Sequence, residues 1–165
     1  GSEMCIRDRY ICTHLSMSEP EANALRNVYW RRYGATLLGL MRHHRTDPDH
    51  FLWHTHQLAD LPRLLCSEPG LRAVLTRLTG RKFVFSNAPL HYARAVLRAL
   101  DIYDVFEDVY TIESTCYRPK PDAFGFLRLA RAKRLGMTTI WINSGATRQP
   151  GYVDRRVRRV AHLLR

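Results

Sequence analysis

The sequence predicts an α/β fold: a parallel sheet with helices on it and an all-helical segment in front of it. Three observations predict this. Short continuous apolar runs, KFVFS at 82–86, DVYTI at 108–112 and TTIWIN at 138–143, are of the kind buried on both faces of a parallel sheet. Each run is followed by a helical pattern, giving strand–helix units in series. Ahead of the first run, the residues from Ser18 onward carry helix signals instead. The 165 residues, 45% apolar and 25% charged, suit one globular domain with a real core.

Taken in order, residues 1–12 fit poorly with the rest of the chain. RDRYICTHL shows only weak strand alternation, and 1–12 read as a foreign or disordered start. SEPE at 18–21 is a capping box in which Ser18 and Glu21 satisfy each other's backbone, with Pro20 tolerated in the first turn. Leu25, Val28, Tyr29 and Tyr33 then recur at steps of three and four, which predicts an amphipathic helix over 19–33. Gly34 interrupts, and ATLLGLMRHH continues helical after a bend. RTDPDHFLWHTHQLADLPRLL is polar, histidine-rich and broken by Pro48 and Pro62, so it reads as loops with short helical turns. EPGLRAVLTRLTG is a helix closed by Gly80. Further helices are predicted from Pro89 to Leu100, from Asp122 to Leu135 and over YVDRRVRRVAHLLR. The organisation is therefore a helical unit at 13–68 and an α/β unit at 69–165.

No apolar run approaches the ~20 residues that span a bilayer, so no membrane association is expected. The opening residues lack the apolar stretch of a signal peptide. Cys5, Cys12, Cys66 and Cys116 form no C-x-x-C pair and read as free thiols of a reducing cytoplasm. The formal charge of +11 points to anionic partners: nucleic acid, acidic lipid surfaces or small phosphorylated molecules. The arginines are spread along the chain as a solvated basic face, dense only in RRVRRVAHLLR. No pattern of interleaved aromatic and basic residues accompanies them, so nucleic acid is not the expected partner.

In an open parallel sheet, ligands bind beyond the carboxyl ends of the strands. Ser86 and Asn87 stand at such an end, immediately before a helix. A serine hydroxyl and the backbone N–H groups of that junction are suited to phosphoryl oxygens. Beyond the second strand comes Lys120, held between Pro119 and Pro121, which fix φ and stiffen the turn. A compact ammonium so placed suits a phosphate and the charge that develops in phosphoryl transfer. Taken alone, each element is more often an ordinary turn; their order and spacing favour one joint site. His43, His44, His50, His54 and His56 with Asp47 and Asp49 fit no zinc-binding spacing and read as loop and core residues. Trp53 and Tyr33 are placed at helical spacing as core, with stacking on a base as the alternative.

FVFSNA, RPKPDAFGF and AKRLGMTTIWI together resemble the haloacid-dehalogenase-like (HAD) hydrolases. YWRRYGATLLGLMRHH, DPDHFLWHTH and LPRLL are similar to the pyrimidine 5'-nucleotidase branch of that family. The resemblance implies a Rossmann-like parallel core with a helical cap, and hydrolysis of nucleoside monophosphates through an aspartyl-phosphate with Mg2+. It further implies that Ser86 is the phosphate-binding hydroxyl of the second motif, with Asn87 beside it. Lys120 is then the catalytic lysine of the third motif, and residues 18–65 form the cap over the substrate, a small phosphate monoester.

Two departures from the family pattern bear on activity. No D-x-D-x-T element occurs; the residue two places beyond Asp8 is Tyr10. Between Asp122 and Asp154 there is no carboxylate, although the acids of the fourth motif belong there. Lys120 and Gly136 are sixteen positions apart, room for one helix and nothing more. The Mg2+ ligands are therefore not found, no metal residues are assigned, and the Rossmann-like core reads as incomplete. The expectations are a marginally stable and catalytically inactive chain or, as an alternative, a basic module that binds nucleotide or nucleic acid without cleaving it.

Overall fold

The computed structural model describes residues 5–59, 61–120, 124–125, 138, 140–142 and 154–157. It is α/β, with a helical layer followed by short parallel strands. Four helices make the layer: α1 (Ile6–Leu15), α2 (Glu19–Tyr33), α3 (Thr36–His44) and α4 (Pro48–Thr55). Glu21 Oε2 accepts from the Ser18 backbone N–H at 2.8 Å and from the Ser18 hydroxyl at 2.6 Å, which fixes the start of α2 at its predicted place. Gly34 ends α2 with φ of +75° and returns its N–H to Trp30 O, so the turn into α3 uses the left-handed region open to glycine. The two helices then meet closely: a Cβ at Gly39 would clash with Cγ and both Cδ atoms of the Tyr29 ring.

Two elements of the helical layer differ from the sequence reading. Pro48, read as a breaker, opens α4: Asp47 Oδ1 accepts from the Asp49 N–H at 3.0 Å, and proline is favoured in a first turn. Residues 6–12, set apart as a foreign or disordered start, belong to α1, where Ile11 is fully buried. Asp8 on that helix is also buried, paired to Arg26 Nε at 2.7 Å and reached by Asn23 Nδ2 at 3.2 Å. A buried carboxylate on the inner face breaks the apolar period, which explains the weak sequence signal.

After the short helix α5 (Leu61–Leu64) and α6 (Leu71–Arg77) come β1 (Phe83–Phe85), α7 (Leu90–Ala99) and β2 (Asp108–Tyr110). The strands β1 and β2 pair in parallel, with Phe83 opposite Asp108 and Phe85 opposite Tyr110. Two further strands, β3 (Ile140–Ile142) and β4 (Arg155–Val157), make a second parallel pair. The sequence placed 155–157 in a last helix; they are extended instead and pair with β3, with Arg155 exposed and Val157 buried. The helix predicted over 122–135 lies outside the described residues apart from Phe124 and Gly125, which are helical.

The apolar side chains form two clusters. One gathers Tyr10, Ile11, Tyr29, Leu37, Leu40, Phe51 and others of the helical layer; the other gathers Leu75, Ala93, Leu97, Ile102 and Val109 around the β1–β2 pair. Ile112, just past β2, is buried in the helical cluster and so ties the two parts together. Among the described residues no helix is long and apolar enough to cross a membrane. All four cysteines are free.

Candidate functional site

Ser86 leaves the end of β1 with its N–H donating to Tyr110 O at 2.9 Å, one last rung of the parallel pair. The chain then turns sharply: the Ser86 hydroxyl accepts from the Ala88 N–H at 3.0 Å. The junction N–H groups expected to face a ligand are thus partly committed within the protein. Ala88 bonds Ser86, and the Leu90 N–H at the start of α7 donates to Glu113 Oε1 at 2.9 Å. The hydroxyl proton of Ser86 stays available, because the hydroxyl is the acceptor in its bond to Ala88.

Asn87 and Lys120 are joined directly. The Lys120 backbone N–H donates to Asn87 Oδ1 at 2.8 Å, and Asn87 Nδ2 donates to the Lys120 carbonyl at 3.3 Å. Both ends of the amide therefore clasp the backbone of the lysine. The side chain of Lys120 folds back over β1: Nζ donates to Phe85 O at 2.9 Å and lies 4.8 Å from the Phe85 ring centroid. Burial holds the Lys120 pKa below the usual lysine value. The structure thus brings Ser86, Asn87 and Lys120 together at the carboxyl ends of β1 and β2, across 33 residues of sequence between Asn87 and Lys120.

Side chains that the sequence reading did not single out frame this corner. Glu113, on the turn after β2, has its second oxygen Oε2 buried with no hydrogen-bond partner among the described residues. Its place just past a strand end is the one signal that could have marked it. Tyr117 Oη donates to Asp49 Oδ1 at 2.7 Å, linking the loop after β2 to α4. That bond and burial push the Tyr117 phenol up to about 12. Between α4 and α7 lies an open cavity of about 430 Å³, lined by Trp53, His91, Arg94 and Glu113 among others. Trp53 is 58% exposed and lies 5.0 Å from the His91 ring, so it is not a core residue; Tyr33 packs against the helical cluster.

Among the described residues, the donor set around Ser86, Asn87 and Lys120 does not fit magnesium. Among the described residues no carboxylate bonds or pairs with Ser86, Asn87 or Lys120, and no acidic group gathers there that could hold an ion. A hard divalent cation needs several oxygen ligands, carboxylates chief among them.

No family model matches the chain. Among solved structures it is similar to a HAD phosphatase from Thermococcus onnurineus, at 17% identity and a TM-score of 0.58, over 97% of this chain and 86% of that one. The fold is HAD-like. A dehalogenase solved with an intermediate complex also aligns, at 15% identity and a TM-score of 0.49, over 95% of this chain and 89% of the other. In the HAD-like fold of this chain, Ser86 and Asn87 follow one parallel strand, and Lys120 is delivered from beyond its neighbour.

Proposed function

We propose that the chain binds a small phosphate monoester, a pyrimidine nucleoside monophosphate, as the phosphate-holding and capping part of a HAD-type nucleotidase. We further propose that, with this sequence, it holds the ester without hydrolysing it. The observation that carries the reading is the Asn87–Lys120 clasp, which fixes the lysine backbone at the end of β1, where its half-buried ammonium reaches the carbonyl of Phe85, the residue before Ser86. Among the described residues Lys120 uses one N–H on Phe85 O, which leaves two for phosphoryl oxygens, and Ser86 has its hydroxyl proton to donate. Asn87 acts as a positioning residue for Lys120. The cavity beside exposed Trp53, with Arg94 in its wall, suits the nucleoside. The catalytic role that the resemblance gives Lys120 has no aspartate pair or Mg2+ ligand set to act with, so no hydrolytic step is assigned. Four free cysteines suit the cytoplasm.

The test is calorimetric titration of UMP and of inorganic phosphate into the chain and into Lys120→Ala. Loss of a charge-assisted bond worth roughly 1.5–3 kcal/mol should weaken binding by about 10- to 100-fold. Equal affinity in the two proteins would remove Lys120 from the site. Magnesium-dependent phosphate release from UMP above the Lys120→Ala background would overturn the non-hydrolytic part.

The formal charge of +11 supports a second reading, a basic nucleic-acid module. It predicts binding of single-stranded DNA that falls steeply with salt and ignores Lys120→Ala.

A further inference from the structure

Away from the phosphate corner, α1 packs on α4, and three imidazoles meet at that seam. His50 and His54 are four residues apart on α4, the spacing that places two side chains on one helix face. His14 comes from the last turn of α1. One ring nitrogen from each lies within 4.8 Å of the others. The rings touch: His14 and His50 centroids are 4.9 Å apart, edge to face, and His50 and His54 centroids are 4.4 Å apart. We propose that His14, His50 and His54 form a three-imidazole site for a transition-metal ion, with Zn2+ as the ion it suits best.

The chemistry matches the donor set. Neutral imidazole suits zinc, copper and nickel, and does not suit magnesium. Zinc with Zn–N of about 2.0–2.1 Å needs ligand nitrogens roughly 3.4 Å apart. All three side chains are exposed, so closing the remaining gap needs only small side-chain rotations. The ligands must be neutral imidazoles, so protons compete with the ion for the site. Tyr10 supplies an outer partner. Its hydroxyl lies 2.8 Å from His50 Nδ1, which orients the ring and leaves Nε2 as the ligand nitrogen. Three histidines leave one tetrahedral position for water. Histidine spacing along the chain does not reveal this site, because His14 lies 36 residues before His50 and joins only through helix packing.

The test is titration of zinc chloride into the full chain, read by calorimetry and by thermal melting. One zinc per chain and a rise in the melting midpoint are expected. His14→Ala and His54→Ala should each abolish the rise, with helical circular dichroism unchanged because both residues are exposed, and His43→Ala should keep it. Tyr10→Phe should weaken zinc about tenfold, the effect of an outer-shell partner. Zinc binding at wild-type affinity in both His14→Ala and His54→Ala would overturn the site, as would binding that disappears in Cys12→Ser instead.

Discussion

At the scale of single residues, the consequential group is Asn87. Its amide gives one acceptor and one donor to the backbone of Lys120, so in the proposed phosphate site it acts through the lysine. Asn87→Ala should therefore weaken UMP binding about 5- to 30-fold, the worth of two hydrogen bonds of ~0.5–1 kcal/mol each. The same variant combined with Lys120→Ala should be no worse than Lys120→Ala alone, and calorimetry of the double-mutant cycle reads that coupling. The placement of Ser86 and Lys120 beyond strand ends was legible in the sequence because each follows a strand and has one neighbouring feature that fixes its backbone. The clasp was not: an asparagine reads the same whether its amide faces a ligand or a peptide 33 positions away. Glu113 went unread because its place past a strand end does not tell that its carboxylate turns back to cap the start of α7.

At the scale of elements, α2, α3, α6, α7, β1, β2 and β3 were legible because apolar period, capping and glycine all agreed there. The misses share one physical cause, a polar residue with two possible uses. Pro48 reads as a breaker inside a helix and as a starter in its first turn; only the Asp47 cap decides between them. Asp8 reads as solvent-facing until Arg26 and Asn23 from α2 come to meet it. In β4, a run of arginines suggests a solvated helix until its pairing with β3 is seen. The close approach of α2 and α3 gives a test with a diagnostic sign. On propensity alone Gly39→Ala should stabilise α3 by about 1 kcal/mol. Against the Tyr29 ring it should instead destabilise the chain by roughly 1–3 kcal/mol in urea unfolding, through overpacking.

At the scale of the whole molecule, two apolar clusters are tied through Ile112, and two histidines of the helical layer resist protonation. His56 is held below the usual histidine value, chiefly by burial, and His14 likewise. For each, the unfolded chain binds the proton more readily than the folded one. Stability is therefore complete above about pH 6.5 and falls as pH drops below it. Melting midpoints taken from pH 7.5 to 5.5 in the presence of a chelator should decline, and His56→Gln should flatten part of that decline. A midpoint that rises on acidification would contradict the assigned burial of His56. The lack of acids between Asp122 and Asp154 was legible by inspection, while the joining of the two clusters depends on where β2 sends Ile112, which no local pattern encodes.

The clasp has one more property. Pro119 and Pro121 carry no amide hydrogen, so across 119–121 the chain has a single exchangeable backbone proton, that of Lys120. That proton is the one held by Asn87 Oδ1. Deuterium uptake at this peptide bond is thus a one-proton clock for opening of the corner, undiluted by neighbouring amides, and it runs in the native protein with no probe attached.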